Sequence, residues 1–442
     1  SPDALPGGFG VGDNLAVAEY LSQRNLIDFI DVSLGNWQTM QKTVGGMHEP
    51  VGYELPTSTP ITRAINLPSI VTGRFRTLEE ADQVIRAGDA SMVSFTRAMI
   101  ADPELVAKTI AGHPEQVRPC IGCNQSCIGG VFDVPYRIGC AINPGAGHEL
   151  TLGDDKLVPA ETPKRVLVVG GGPAGMEAAR VAALRGHKVT LAEARVALGG
   201  AVLAASRTPT RLGMKDFTIW LEGEIYRLGV EVRMSTYMEA DDVLAEGWDA
   251  VIVATGSRPR MDGLVISNPT EPALGMDQPH VFSSHDLLLE GSKHQGTSAV
   301  VIDDNGHYEA LGVAEFLAEQ GLQVNFVTRF PAIAPKVEAA LMIEPALVRL
   351  SATGFTAHTR ARAVSIGRDS VTICPTYLPA ATNLTTTLPA DIAVFVSLNR
   401  GNRELHDELQ GKVAKLSIVG DASSARHLPT AVREGHLAGA EV

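Results

Sequence analysis

No stretch of this chain is long and apolar enough to cross a membrane. The longest apolar runs, such as Val166-Leu167-Val168-Val169 and Ile392-Ala393-Val394-Phe395-Val396, are strand-length and fall far short of the roughly 20 residues a span needs. Basic residues are outnumbered, 37 Lys and Arg against 50 Asp and Glu, for a formal charge of −13. No basic stripe with interleaved aromatics occurs, which argues against nucleic acid as a partner. A positively charged leader with an apolar core is missing at the N-terminus, so no secretory signal is expected. Cysteine is scarce, five in 442 residues, and thiolates that ligate a metal fit a reducing compartment better than a disulfide framework does. The expectation is a cytoplasmic protein with no membrane and no nucleic-acid partner, long enough for two to four domains.

What cysteine there is lies together. Cys120-Ile121-Gly122-Cys123-Asn124-Gln125-Ser126-Cys127, with Cys140 downstream, holds four of the five in a Gly- and Pro-rich segment. Two or three intervening residues let the backbone curl around one centre, and Cys140 closes a fourth corner. Thiolates select iron-sulfur clusters or zinc. Zinc ribbons pair two short Cys-x-x-Cys loops, whereas the grouping here is three plus one. The spacing therefore favours a 4Fe-4S cluster over zinc, with reduced, unliganded thiols as the third reading. Gly122, Gly129 and Gly130 would let backbone N–H groups approach the sulfurs. Cys374 stands alone in Ser370-Val371-Thr372-Ile373-Cys374 and reads as a small buried side chain on a strand.

Upstream of the cysteines, strands are expected at 26–33, 67–72 and 90–95, alternating with helices at 14–24, 77–87 and 103–110. That alternation means a parallel sheet with crossover connections. Gly73-Arg74 and Thr96-Arg97 fall at the C-terminal ends of the second and third strands, where a parallel barrel places phosphate-binding loops. Two arginines beside backbone N–H groups can hold a phosphate dianion, although the same arginines also read as exposed loop charges.

Pro68-Ser69-Ile70-Val71-Thr72-Gly73-Arg74, Met92-Val93-Ser94-Phe95-Thr96-Arg97-Ala98-Met99-Ile100-Ala101-Asp102-Pro103 and Arg118-Pro119-Cys120-Ile121-Gly122-Cys123-Asn124 together resemble the iron-sulfur branch of the Old Yellow Enzyme family. That branch contains trimethylamine and dimethylamine dehydrogenases, N-demethylating relatives and 2,4-dienoyl-CoA reductase. The resemblance implies FMN with its phosphate near Gly73, Arg74, Thr96 and Arg97, and a 4Fe-4S cluster on Cys120, Cys123, Cys127 and Cys140. Ala98 departs from the Pro common after this arginine, without touching the donors. Only about three of a barrel's eight units precede the cysteines, so residues 1–117 read as the C-terminal part of a TIM (βα)8 barrel in a longer polypeptide. Trp37, after the first strand, resembles a wall residue for a methylated ammonium, which a ring face attracts; packing of its own loop is the alternative. The catalytic acid or base remains unassigned.

Arg165-Val166-Leu167-Val168-Val169 runs into Gly170-Gly171-Gly172-Pro173-Ala174-Gly175 and then a helix, and a second strand ends at Glu193. Glycines Gly170, Gly172 and Gly175 between strand and helix, with an acid after the next strand, form the dinucleotide fingerprint: the pyrophosphate meets the helix N-terminus and Glu193 accepts from ribose hydroxyls. Leu198-Gly199-Gly200, residues 250–256 and Gly420-Asp421 resemble further signatures of two-dinucleotide flavoproteins, which implies FAD, or ADP alone, near Gly420 and Asp421. Downstream, Asp303-Asp304-Asn305-Gly306 stands where reductase relatives carry a second glycine-rich loop for NAD(P)H, so nucleotide binding there is expected to be lost or weakened.

The expected architecture is α/β: a partial FMN-binding barrel over 1–117, a 4Fe-4S segment over 118–160, a Rossmann-like FAD or ADP domain from 161–265 and 390–442, and a second, NAD(P)-binding-like domain over 266–389. The expected activity is oxidative N-demethylation of a methylated amine, with electrons passed through the cluster to an electron-transfer protein acceptor; NAD(P)H-dependent reduction of an enoate or dienoyl-CoA is the alternative. A homo-oligomer is expected.

Overall fold

The computed structural model describes residues 1–133, 137–289 and 296–442. Two five-stranded parallel sheets dominate it. In the first, the strands run in the order Leu416–Ile418, Ala250–Val253, Arg165–Val169, Lys188–Ala192 and Glu231–Arg233. The second runs Phe355–Thr359, Gln323–Thr328, Ser298–Asp303, Ile392–Val396 and Val281–Ser283. Their central strands are near-continuous Val, Ile, Leu and Ala because both faces are covered, in the second sheet by helices on one face and by an antiparallel meander on the other. Val166, Leu167 and Val168 are fully buried, each contributing about 1.5–3 kcal/mol by leaving water.

One boundary differs from expectation. Ile392–Val396 pairs with Ser298–Asp303 in the second sheet, so the chain returns to the first unit after Val396 and not at residue 390. The crossing points, Ser257–Arg258 and Arg400–Gly401, form a short antiparallel ribbon. A three-stranded antiparallel meander, Ala361–Ile366, Ser370–Pro375 and Thr386–Pro389, packs on the second unit. It carries Cys374, which is buried as expected.

The first 117 residues form a three-stranded parallel sheet, Ile30–Val32, Ser69–Val71 and Met92–Val93, joined by helical crossovers. The strands are shorter than expected because pairing, and not apolar composition, limits them: Leu26 and Phe29 precede the paired segment and stay exposed. Each outer strand of this sheet pairs on one side only among the described residues. A helix at Leu55–Ala64 was not expected from a stretch containing Pro56 and Pro60; Pro56 sits in the first turn, where a missing N–H leaves nothing unsatisfied.

The cysteine segment is built into the core of the first unit. Ile121, Cys123, Ala141 and Ile142 pack in the same cluster as Val166, Val168 and Met176. Its entry is fastened by Asp102, buried, which accepts from Arg118 N at 2.8 Å and from Lys108 Nζ at 2.6 Å.

Candidate functional site

The cysteine loop is shaped by left-handed backbone. Gly122 has φ +65° and Asn124 φ +58°, and Gly122 N donates to Cys120 Sγ at 3.4 Å, the approach expected of that glycine. Gly129 serves differently: its N–H donates to Asn124 O at 2.8 Å, and a Cβ there would stand 2.7 Å from the same oxygen. All four sulfurs are free thiols, and Cys120, Cys123, Cys127 and Cys140 line one small cavity together with Arg97. Burial pushes the Cys123 thiol well up and Cys140 up to about 11, so these thiols would ionise only with a positive centre between them. Among the described residues no three Cys, His, Asp or Glu side chains are arranged to hold a single metal ion. Four thiols lining one cavity are a donor set for an iron-sulfur cluster or for zinc.

Next to this loop stand the two arginines. Arg74, at φ +63°, reaches the carbonyls of Met47 and Glu49 through Nη1, while its buried Nε has no hydrogen-bond partner among the described residues. Burial first, then the neighbouring Arg76 and Arg97 charges, lower its pKa. A buried, unpaired guanidinium N–H amid like charges fits an anion site. Arg97 Nη1 donates to Gly45 O at 2.7 Å and to Asn124 Oδ1 at 2.6 Å. Gly73 O accepts from Gly52 N at 2.7 Å, which holds the 45–52 loop over the strand end, and Thr96 opens the helix Thr96–Ala101. Of the residues expected to grip the FMN phosphate, Arg74 and Arg97 stand beside the cysteine loop, Arg74 against Gly122 and Arg97 on the wall of the cysteine cavity. Trp37 does not join them: it starts a 3-10 turn capped by Asn36 and is 82 % exposed.

The dinucleotide fingerprint opens on a cavity of about 1190 Å³, lined by Gly170, Gly172, Glu193 and Asp421. Gly170 has φ +113°, and a Cβ on Gly175 would lie 1.9 Å from Gly170 O, so this glycine lets the helix Pro173–Leu184 close onto the strand. Glu193 accepts from Gly171 N at 2.6 Å and Arg195 N at 2.7 Å, which fixes its carboxylate at the cavity wall. Asp421 accepts from Ser257 Oγ at 3.2 Å and Arg426 N at 3.1 Å, and Gly420, at φ +63°, donates to Glu434. The volume exceeds what a small ligand needs and fits an extended dinucleotide.

Sequence reasoning missed the far end of this cavity. His307 and His427 stack there, centroids 4.0 Å apart and 10° between planes, with Lys336, Tyr308 and His285 on the same wall. Burial, reinforced by His427 and Lys336, lowers His307 to about 3. Tyr308 Oη donates to Cys123 O at 3.3 Å, and Gln125 and Met47 also line the cavity, so it reaches the cysteine loop. No local motif could reveal a wall assembled from such distant segments.

In the second unit the loop after Ser298–Asp303 carries its own anion. Asp303 Oδ1 accepts from Asn305 N at 3.0 Å and Gly306 N at 2.7 Å, and Oδ2 accepts from Thr328 Oγ1 at 2.8 Å. Asp304 pairs with Arg329 at 2.9 Å and accepts from Ile266 N. The N–H groups that would cradle a pyrophosphate already have carboxylate partners.

Residues 164–435, with an overlapping match over 143–243, fit the pyridine nucleotide-disulphide oxidoreductase family. The chain belongs to that family. It is 31% identical over 450 residues to the metal reductase of Desulforamulus reducens, covering 94% of this chain and 63% of that protein. The probable N-methylproline demethylase of Rhizobium meliloti is 32% identical over 352 residues, 77% of this chain and 49% of that protein. Histamine dehydrogenase from Rhizobium sp. 4-9 superposes with TM-score 0.91 at 27% identity, over 100% of this chain and 64% of its own. The chain thus spans about half to two thirds of the length of these relatives. A demethylase and an amine dehydrogenase are among the enzymes that the arginine and cysteine motifs resemble, and the resemblance read from the residues holds.

Proposed function

We propose that this chain is the C-terminal, cofactor-carrying portion of a flavin-dependent iron-sulfur oxidoreductase that removes an N-methyl group from an amine by oxidation. In this reading Gly73, Arg74, Thr96 and Arg97 grip the FMN phosphate at the end of a partial barrel. Cys120, Cys123, Cys127 and Cys140 hold a 4Fe-4S cluster, and Gly170, Gly172, Gly175, Glu193, Gly420 and Asp421 form the site for FAD or ADP. When bound, FMN supplies a hydride acceptor and the cluster a one-electron carrier. The amine loses hydride from its N-methyl carbon to give an iminium, and water converts this to formaldehyde and the demethylated amine. The two electrons leave to an external protein acceptor, for which the cysteine segment is the natural exit.

The observation that carries this reading is the Asp303 carboxylate seated on Asn305 N and Gly306 N. A reductase fed by NAD(P)H needs that cradle for a pyrophosphate; an enzyme fed by its own substrate does not. The relative named as a demethylase and the structural neighbour named as an amine dehydrogenase accord with it. A reductase of activated C=C bonds is the second reading, favoured by the relative named as a reductase and by a cavity that extends to Asn305 and Glu309 in the second unit.

Anaerobic mixing of the oxidised holoprotein with NADPH, with NADH and with a panel of methylated amines, followed by flavin absorbance, separates the two. Bleaching by an amine alone is the expected result. Rapid bleaching by either nicotinamide would replace the demethylase reading with the reductase one.

A further inference from the structure

Asn124 lies between Cys123 and Gln125, is 1 % exposed and adopts φ +58°. Few non-glycine residues take that conformation, and Asn does so because its short side chain can bond locally. Here both ends of the amide are used: Oδ1 accepts from Arg97 Nη1 at 2.6 Å, and Nδ2 donates to Val44 O at 2.9 Å. Its backbone carbonyl accepts from Gly129 N, so the residue ties together the turn of the cysteine loop, the 44–45 loop and the guanidinium. Among the described residues Arg97 bonds to protein through Nη1 alone, and the same side chain lines the cavity shared by the four cysteines.

We propose that Asn124 is a positioning residue that fixes Arg97 to the cysteine loop, so that one guanidinium serves both the flavin phosphate and the cluster, and the cluster's reduction potential reports whether that phosphate is in place. This rests on the reading of Arg97 as a phosphate ligand and of the four cysteines as cluster ligands. A cation beside a cluster stabilises the form carrying one more negative charge and so raises the potential. A phosphate dianion on the same guanidinium offsets that effect, because the two act on the cluster with opposite sign. Reduction in the test takes one electron from the titrant, with no bond made or broken in the protein.

The experiment is an EPR-monitored redox titration of the cluster in holoenzyme carrying either FMN or riboflavin, which lacks the phosphate. The midpoint is expected to be lower with FMN than with riboflavin. In Asn124→Gly, which suits φ +58° while removing both amide bonds, the iron content should match wild type, the midpoint with riboflavin should fall, and the difference between the flavins should shrink. Equal midpoints with the two flavins in the wild-type protein would overturn the proposal, as would a difference undiminished in an iron-replete Asn124→Gly. Should the variant lose iron, the wild-type comparison decides alone. Purified protein with neither iron nor flavin would instead overturn the functional reading beneath it.

Discussion

His307 shows how a cavity wall sets a protonation state. Its ring is stacked on His427, lies edge-on to Tyr308 at 5.0 Å, and shares its surroundings with Lys336 and Arg211. Burial is the main cause of its lowered pKa, about 3 against an ordinary 6.5, and the neighbouring cations act in the same direction. Between those two values the unfolded chain binds a proton that the folded chain refuses. The stability contributed by the neutral ring is therefore complete above pH 6.5 and is lost as pH falls toward 3, by at most about 1.4 kcal/mol per pH unit. His48, lowered to about 4 chiefly by burial, acts with the same sign. Replacing His307 by Gln, neutral at every pH, should flatten the acid limb of a melting-temperature profile between pH 6.5 and 4.5. Parallel limbs for variant and wild type would show that the ring does not titrate against folding.

At the scale of elements, the dinucleotide unit depends on two helices touching without side chains between them. The helix Leu428–Glu441 crosses Pro173–Leu184 at Gly435 and Gly439. A Cβ on Gly435 would lie 2.2 Å from Ala174 O, and one on Gly439 would lie 2.6 Å from Ala178 O. Both obstacles are backbone, so the helices themselves must move. Gly435→Ala should cost about 1–3 kcal/mol, seen as a lower melting temperature. Because the same movement displaces Asp421 and the helix start, bound nucleotide measured after denaturation should also fall. Spacing made much of this site legible: the cysteines, Gly170 to Gly175 with Glu193, and the Arg74 and Arg97 strand ends are close in sequence and meet in space. What stayed illegible depends on tertiary contacts. Ile392–Val396 is an apolar strand that either sheet could take, and only its pairing with Ser298–Asp303 decides. The stacked histidines come from turns 120 residues apart, His307 and His427, and carry no motif. Asn124 is visible within the cysteine loop, but its bond to Arg97 is not.

Across the whole molecule, one charge network, buried at Arg180 and Glu177 and exposed at Asp154, joins three segments. Arg180, fully buried on the helix Pro173–Leu184, donates to both oxygens of Glu177 at 2.8 Å and to both of Asp154, beyond the cysteines, at 2.9 Å. His436 Nδ1 on the C-terminal helix stands 3.2 Å from Glu177 Oε1. Arg118, just before Cys120, contacts Asp154 at 3.4 Å and lies over Trp220, as does Arg180. Desolvation would raise the Glu177 carboxyl, but the Arg180 charge and its hydrogen bonds outweigh that and bring it down to about 2. With a folded pKa below the ordinary 4.5, this carboxylate contributes stability that is present above pH 4.5 and lost as pH falls through about 2. Arg180→Met strands a fully buried carboxylate and should cost about 3–5 kcal/mol. Because Asp154 and Arg118 flank the cysteine loop, iron content should fall with stability. Adding Glu177→Gln removes the stranded charge, and replacing both partners of a buried pair is far milder than removing one. The double variant should therefore regain part of the stability lost in Arg180→Met, measured by denaturant unfolding. If it is no more stable than the single variant, the cost lies in lost packing of the Arg180 side chain against Trp220, and the ion pair is not what joins the cysteine segment to the dinucleotide unit.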